Sequence, residues 1–128
     1  MTDIKKAILS PDAPAPIGPY SQAIQLGNLV FCSGQIPLDP KSGQIVGQDI
    51  ETQTNQVMQN ISAVLKAGGL EFSNVIKSTI FIKNMNDFAK VNVIYGEFFK
   101  APFPARSTVE VARLPKDVLI EIEVIAAK

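Results

Sequence analysis

Apolar positions change their period several times along the 128-residue chain, and each change marks an element. Two short strand-like runs at 21–26 and 29–33 flank Gly27-Asn28, a two-residue link of the kind that closes a β-hairpin. From Asp49 the spacing lengthens: Ile50, Val57, Met58, Ile61, Val64 and Leu65 fall mostly three or four apart and form one face of a helix. Asp49 suits its N-cap and Gly68-Gly69 its left-handed stop, which predicts a helix over 50–67. The stretch 75–83 is rich in β-branched and aromatic residues and reads as a largely buried strand. Phe88, Val91, Ile94, Tyr95 and Phe98 then return to helical spacing, with Asn86 as the cap and Pro102-Phe103-Pro104 as the end. Residues 106–112 and 118–126 alternate as strands around Leu114-Pro115-Lys116-Asp117.

Between these elements the punctuation is proline. Pro11, Pro14, Pro16, Gly18 and Pro19 make 10–19 a constrained loop, and Pro37, Pro40 and Gly43 make a second. The order reads strand, strand, strand, helix, strand, helix, strand, strand, with a further short strand near 4–9. This is an α+β pattern in one domain over residues 1–128. Two helices cover only one face of such a sheet, yet several strands are apolar on both. Self-association supplies the missing cover, and a closed cyclic homo-oligomer is its ordinary form.

Composition narrows the chemistry. At 46% apolar residues the chain can build a continuous core, and 12 basic side chains balance 12 acidic ones. That balance gives no overall pull toward nucleic acid or an anionic membrane. One cysteine, Cys32, allows no intrachain disulfide, and the first residues carry too short an apolar run for a signal peptide. No run approaches a membrane span, so a soluble cytoplasmic protein is expected. The chain has no histidine, which removes the commonest general base and metal ligand and every Ser-His or Cys-His nucleophile. No metal site is expected, and catalysis falls to carboxylates, Tyr, Lys, Arg, hydroxyls and backbone groups acting on an already reactive substrate.

Arg106 opens a strand just after a rigid loop, and its planar fork matches a carboxylate; taken alone, it reads first as the partner of a surface acid and only second as a ligand clamp. Glu121 and Glu123 alternate onto the face opposite Ile120, Ile122 and Val124, as on any half-exposed strand, unless that face lines an interface. Tyr20 follows Gly18-Pro19, which aims its phenol at a cleft or packs it on the hairpin rim. Gly34 ends a strand where a ligand or another backbone approaches closely. Asn92 is a weak helix former inside the second helix, explained by a polar face or by a partner elsewhere. Cys32 lies between Phe31 and Ser33 with no activating group and reads as a buried filler.

Taken in order, Gly18-Pro19-Tyr20-Ser21-Gln22-Ala23, Ser33-Gly34-Gln35-Ile36-Pro37, Asn86-Asp87-Phe88, Pro104-Ala105-Arg106-Ser107 with Val109-Glu110-Val111, and Ile120-Glu121-Ile122-Glu123 closely resemble the Rid (YjgF-type) family, most of all its RidA branch of 2-iminobutanoate/2-iminopropanoate deaminases. The resemblance implies a chorismate-mutase-like fold, a mixed sheet with two helices on one face, assembled as a homotrimeric barrel with clefts between subunits. It implies that Arg106 binds the substrate carboxylate, that Glu121 positions or activates water, and that Tyr20 lines the pocket. Gly34 and Ser107 match positions whose backbone holds ligand or water, and Asn92 matches a polar residue nearby. Many bacterial relatives carry cysteine where Ser107 stands, so a thiol-dependent switch is not expected here. The implied reaction is hydrolysis of a 2-imino acid to a 2-oxo acid and ammonia, with no cofactor. The same resemblance brings an endoribonuclease or translation-inhibitor activity, against which neutral charge and absent histidine weigh, and a non-catalytic metabolite-binding or chaperone-like role.

Overall fold

Eight elements form along residues 4–128, the part that the computed structural model describes; the first three residues of the expected 1–128 domain lie outside it. They are β1 (Lys6–Ile8), β2 (Ala23–Leu26), β3 (Leu29–Gln35), α1 (Ile50–Ala67), β4 (Val75–Ile82), α2 (Phe88–Gly96), β5 (Ala105–Glu110) and β6 (Ile120–Ala127). The short strand expected near 4–9 is β1, so three strands rather than four precede α1 among the described residues. Leu38 and Ile45 form only an isolated bridge in the second proline loop.

The helix α1 has the predicted limits because its ends are chemically marked. The Asp49 carboxylate accepts the Thr52 N–H at 2.9 Å, which satisfies one of the first-turn donors. At the other end Gly68 stays right of the left-handed region with φ −89°, and it is Gly69, at φ 75°, that takes the left-handed turn. Val57, Met58, Ile61, Val64 and Leu65 are buried along the expected face. Each large side chain removed from water there contributes roughly 1.5–3 kcal/mol.

The start of α2 differs from the expectation. Asn84, not Asn86, is the capping residue: its side chain accepts the Asn86 N–H at 2.9 Å and caps a single 3-10 turn, Met85–Asp87, from which α2 continues at Phe88. Asn84 thus caps a short turn that precedes the helix proper, a division that the apolar spacing does not reveal. Val91 and Tyr95 are the buried residues of α2, and Phe99, just past its end, is buried more deeply than Phe98.

Sheet order is β1-β2-β3-β6-β4-β5, antiparallel throughout except for the parallel pair β4–β5. The helix α2 is the crossover that a parallel pair requires. Consequently β5 and β6 do not pair with each other; β4 lies between them, and β5 is an edge strand. The hairpin β2–β3 turns through Gly27 at φ 59°, a conformation that glycine adopts freely. Both helices pack on one face, where Val30, Cys32, Ile80, Ile82, Ile120, Ile122 and Val124 form the core with α1 and α2. The opposite face lacks a cover and exposes Leu29, Phe31 and Val109 by 39–44%. Among the described residues no helix is long and apolar enough to cross a membrane.

Candidate functional site

Four prolines keep the segment before β2 from becoming helix, and a buried side chain fixes the loop that results. Gln22, 2% exposed, accepts the Ser10 N–H at 2.6 Å and donates to the carbonyls of Ser10 at 3.1 Å and Pro14 at 2.9 Å. The loop therefore bends back over the end of β3. Gly18 at φ 125° makes the last turn, the Tyr20 N–H donates to Gly18 O at 2.9 Å, and the Tyr20 ring is left half-exposed. A cavity of about 500 Å³ forms beneath, lined among others by Pro14, Ile17, Tyr20, Gly34, Lys116 and Glu121.

Gly34 lies on β3 rather than beyond its end, at a register shift between Cys32 and Gln35. That irregularity sets the Gly34 backbone against the Glu121 side chain of β6. A Cβ added at Gly34 would stand 2.9 Å from Glu121 Cδ and nearer still to Oε2. It is this close approach, not a special φ, that a side chain at Gly34 would disturb, by displacing the Glu121 carboxyl. Glu121 is half-buried and has no hydrogen bond or ion pair among the described residues. Burial raises its carboxyl above the ordinary range, and the neighbouring Glu123 raises it further. An unpaired carboxylate that holds protons more tightly than usual, at the wall of a cavity, is suited to take a proton from water near neutral pH.

Arg106 stands elsewhere. Along β4, Arg106 pairs with Ser78 and Glu121 with Phe81, so the two lie two strands apart and three residues along. That places their Cα atoms roughly 14 Å apart. Ser78 belongs to the helix side of the sheet and Phe81 to the open side, so the two side chains leave opposite faces. The Arg106 guanidinium lies over the rings of Phe88 at 5.2 Å and Tyr95 at 5.0 Å. No acid pairs with it among the described residues, so the surface-acid alternative is not what holds it. The rings meet the guanidinium without using its N–H groups, which no acid takes up among the described residues and which remain for a ligand. Tyr95 is itself anchored, donating from its hydroxyl to Ser78 Oγ at 2.9 Å, while burial raises its phenol above the usual range.

Asn92 falls between Phe88 and Tyr95 on the same helical face, by the four- and three-residue spacing. Its Oδ1 is buried without a hydrogen-bond partner, as is Oγ1 of Thr108, two residues beyond Arg106 on the same face of β5. Two unsatisfied acceptors beside an unpaired arginine are an arrangement that a polar ligand would complete. Ser107 points to the open face, where its Oγ accepts from Lys77 Nζ at 3.0 Å. Cys32 is buried, and burial pushes its thiol up to about 12, which leaves it inert.

The six candidates thus divide within one chain. Tyr20, Gly34 and Glu121 meet at the cavity; Arg106 and Asn92 meet on α2; Ser107 lies at the edge of the open face. Sequence reasoning missed Gln22 as the anchor of the Tyr20 loop, the aromatic platform of Phe88 and Tyr95, and Lys116. The spacing of Phe88, Asn92 and Tyr95 was a readable signal for the platform. Lys116 and Asp117 take left-handed backbone at φ 57° and 58°, which no glycine or asparagine announces.

Comparison with known proteins matches residues 10–128 to the family described as Endoribonuclease L-PSP. A RutC family protein of Pyrococcus horikoshii is 58% identical over 98% of this chain and 99% of its own. The 2-iminobutanoate/2-iminopropanoate deaminase of Salmonella typhimurium is 52% identical, again over 98% and 99%. A solved structure of a Rid family protein of unknown function from Yersinia pestis superposes with a TM-score of 0.95 at 52% identity, covering 98% of this chain and all of that one.

Proposed function

The chain belongs to the endoribonuclease L-PSP family, and on that premise we propose that it is a cytoplasmic RidA-type deaminase that hydrolyses 2-iminopropanoate and 2-iminobutanoate. The observation that carries this reading is Arg106, set over the rings of Phe88 and Tyr95 with no acid among the described residues to neutralise it. A guanidinium so held is preorganised for a bidentate carboxylate. The relative named as a deaminase, at 52% identity, supports the same chemistry.

The protein works as a homotrimer in this reading, because Arg106 and Glu121 leave opposite faces of one sheet and no small substrate reaches both within a single chain. The uncovered face with Leu29, Phe31 and Val109 supplies the apolar surface for assembly. Across the boundary, Arg106 and Asn92 of one subunit hold the imino acid by its carboxylate, and Ser107 adds backbone contacts. Tyr20, Gly34 and Glu121 of the next hold the water.

Glu121 takes a proton as water oxygen adds to the imine carbon. The imine nitrogen receives that proton to give the carbinolamine, whose hydroxyl proton then passes, again through Glu121, to the nitrogen as the C–N bond breaks and the C=O bond forms, so that ammonia leaves and the 2-oxo acid remains. One water is consumed for each ammonia released. Because such imines hydrolyse unaided, holding carboxylate and water in line supplies most of the acceleration and needs neither metal nor cofactor.

The test is to generate 2-iminopropanoate in situ and follow 2-oxo acid formation with wild type and Arg106→Ala. Loss of one charge-assisted bidentate pair lowers kcat/KM by about 10²-fold. Equal rates for the two proteins overturn the assignment.

A further inference from the structure

The connection from edge strand β5 to central strand β6 brings an exposed lysine to the rim of the Glu121 cavity on an unusual backbone. Lys116 and Asp117 are successive non-glycine residues with φ 57° and 58°, a backbone that L-residues avoid and that persists only where its surroundings fix it. Those surroundings are present. Arg113 grips the Asp117 carboxylate with both arms, Nε to Oδ1 at 2.7 Å and Nη2 to Oδ2 at 3.3 Å. Asp117 N–H donates to Leu114 O at 3.0 Å and Val118 N–H to Pro115 O at 3.3 Å, with the proline ring presetting the turn. Arg113 and Asp117 lie outside the cavity that contains Glu121; Lys116 lines it.

Lys116 has no acid partner among the described residues, and no ion pair joins it to Glu121 although both border the same space. The cavity therefore carries an unneutralised cation set apart from the carboxylate that handles water. A left-handed turn that sets Lys116 at the rim of this cavity and an ammonium with no acid partner together point to a second anionic group on the ligand.

We propose that Lys116 is a specificity-determining residue that binds the distal carboxylate of dicarboxylic 2-imino acids, extending the substrates of this site beyond small monocarboxylic imines. The inference rests on the deaminase reading above. With the α-carboxylate on Arg106 and the imine carbon beside Glu121, a side chain ending in a carboxylate reaches the Lys116 ammonium. A methyl or ethyl side chain does not.

The experiment compares 2-iminopropanoate with 2-iminosuccinate, each generated in situ by an amino-acid oxidase from alanine or aspartate, as acceleration over spontaneous hydrolysis. The proteins are wild type, Lys116→Asn, Lys116→Arg and Lys116→Glu; asparagine removes the charge while tolerating the left-handed backbone. Wild type accelerates both substrates. In Lys116→Asn the ratio of kcat/KM for the dicarboxylic over the monocarboxylic substrate falls about tenfold, chiefly through KM. Lys116→Arg restores the ratio and Lys116→Glu lowers it further. Wild type that accelerates only 2-iminopropanoate overturns the proposal and leaves the deaminase reading standing. An Asn variant that loses both substrates in equal proportion also overturns it, since that is the mark of a merely structural turn. Failure to accelerate either substrate removes the deaminase reading and this proposal with it.

Discussion

Replacing Gly34 by alanine adds one methyl group where the Glu121 carboxyl already lies. The added Cβ would meet Glu121 Cδ at 2.9 Å, with Cγ at 3.0 Å, whereas carbon atoms in ordinary contact keep about 3.5–4.0 Å. The carboxyl must therefore retreat by about 0.5–1 Å, and Glu121 has no hydrogen bond that would carry it to a defined new position. A displacement of that size in a group that handles water lowers kcat by about 10²-fold, or about 2.7 kcal/mol of transition-state stabilisation. Folding tells a different story. Gly34 has no left-handed φ, so alanine gains about 0.4–1 kcal/mol by restricting the unfolded chain, against the modest work of moving one flexible side chain. The melting temperature of Gly34→Ala is thus expected within about 5 °C of wild type. The assay is 2-oxo acid formation from 2-iminopropanoate beside a thermal melt of the same preparation. An alanine variant with wild-type kcat would refute the reasoning, because it would mean that the position of the Glu121 carboxyl does not matter.

Gln22→Leu removes the side chain that ties Ser10 and Pro14, leaves buried backbone groups without partners and lowers stability by about 2–3 kcal/mol, read by chemical denaturation; protease cleavage within 10–20 reports the released loop. Glu121→Gln raises stability at neutral pH while abolishing activity. The sign follows from a folded carboxyl that holds its proton more tightly than the unfolded one: the charged form is disfavoured in the fold above that raised value, and the penalty vanishes as pH falls below the ordinary carboxylate range of about 4. Melting temperatures of variant and wild type therefore differ at pH 7 and converge in acid.

Much of the architecture was written in local chemistry. Asp49, the apolar spacing from Ile50 to Leu65 and the glycine pair at 68–69 marked α1 to the residue, because a cap, a face and a stop are all short-range features. Gly27-Asn28 marked its hairpin for the same reason. What escaped depends on contacts between distant segments. Strands β5 and β6 follow one another in sequence, yet β4 separates them, since a parallel β4–β5 pair is decided by how α2 packs. That order sets Arg106 and Glu121 two strands apart, the register of each on β4 puts them on opposite faces, and no motif in either strand announces it. Alternation correctly placed Glu121 and Glu123 away from the core, but the nearness of Gly34 to Glu121 arises from a strand irregularity that leaves no periodic trace. Asn84 displaced Asn86 as cap because a single 3-10 turn, Met85–Asp87, precedes the helix proper. The left-handed backbone of Lys116 and Asp117 was invisible too, because neither residue type announces it.

In the proposed trimer one working site is completed by two subunits, with Arg106 from one and Glu121 from the next. Arg106→Ala and Glu121→Ala are each expected to be inactive toward 2-iminopropanoate. Unfolded together in equal amounts and refolded, they reassort, and each cleft that draws its intact Arg106 and its intact Glu121 from different subunits is whole. Random assembly around a cyclic ring then recovers about one quarter of wild-type specific activity. A refolded mixture that assembles but stays as inactive as the two variants alone would contradict the claim.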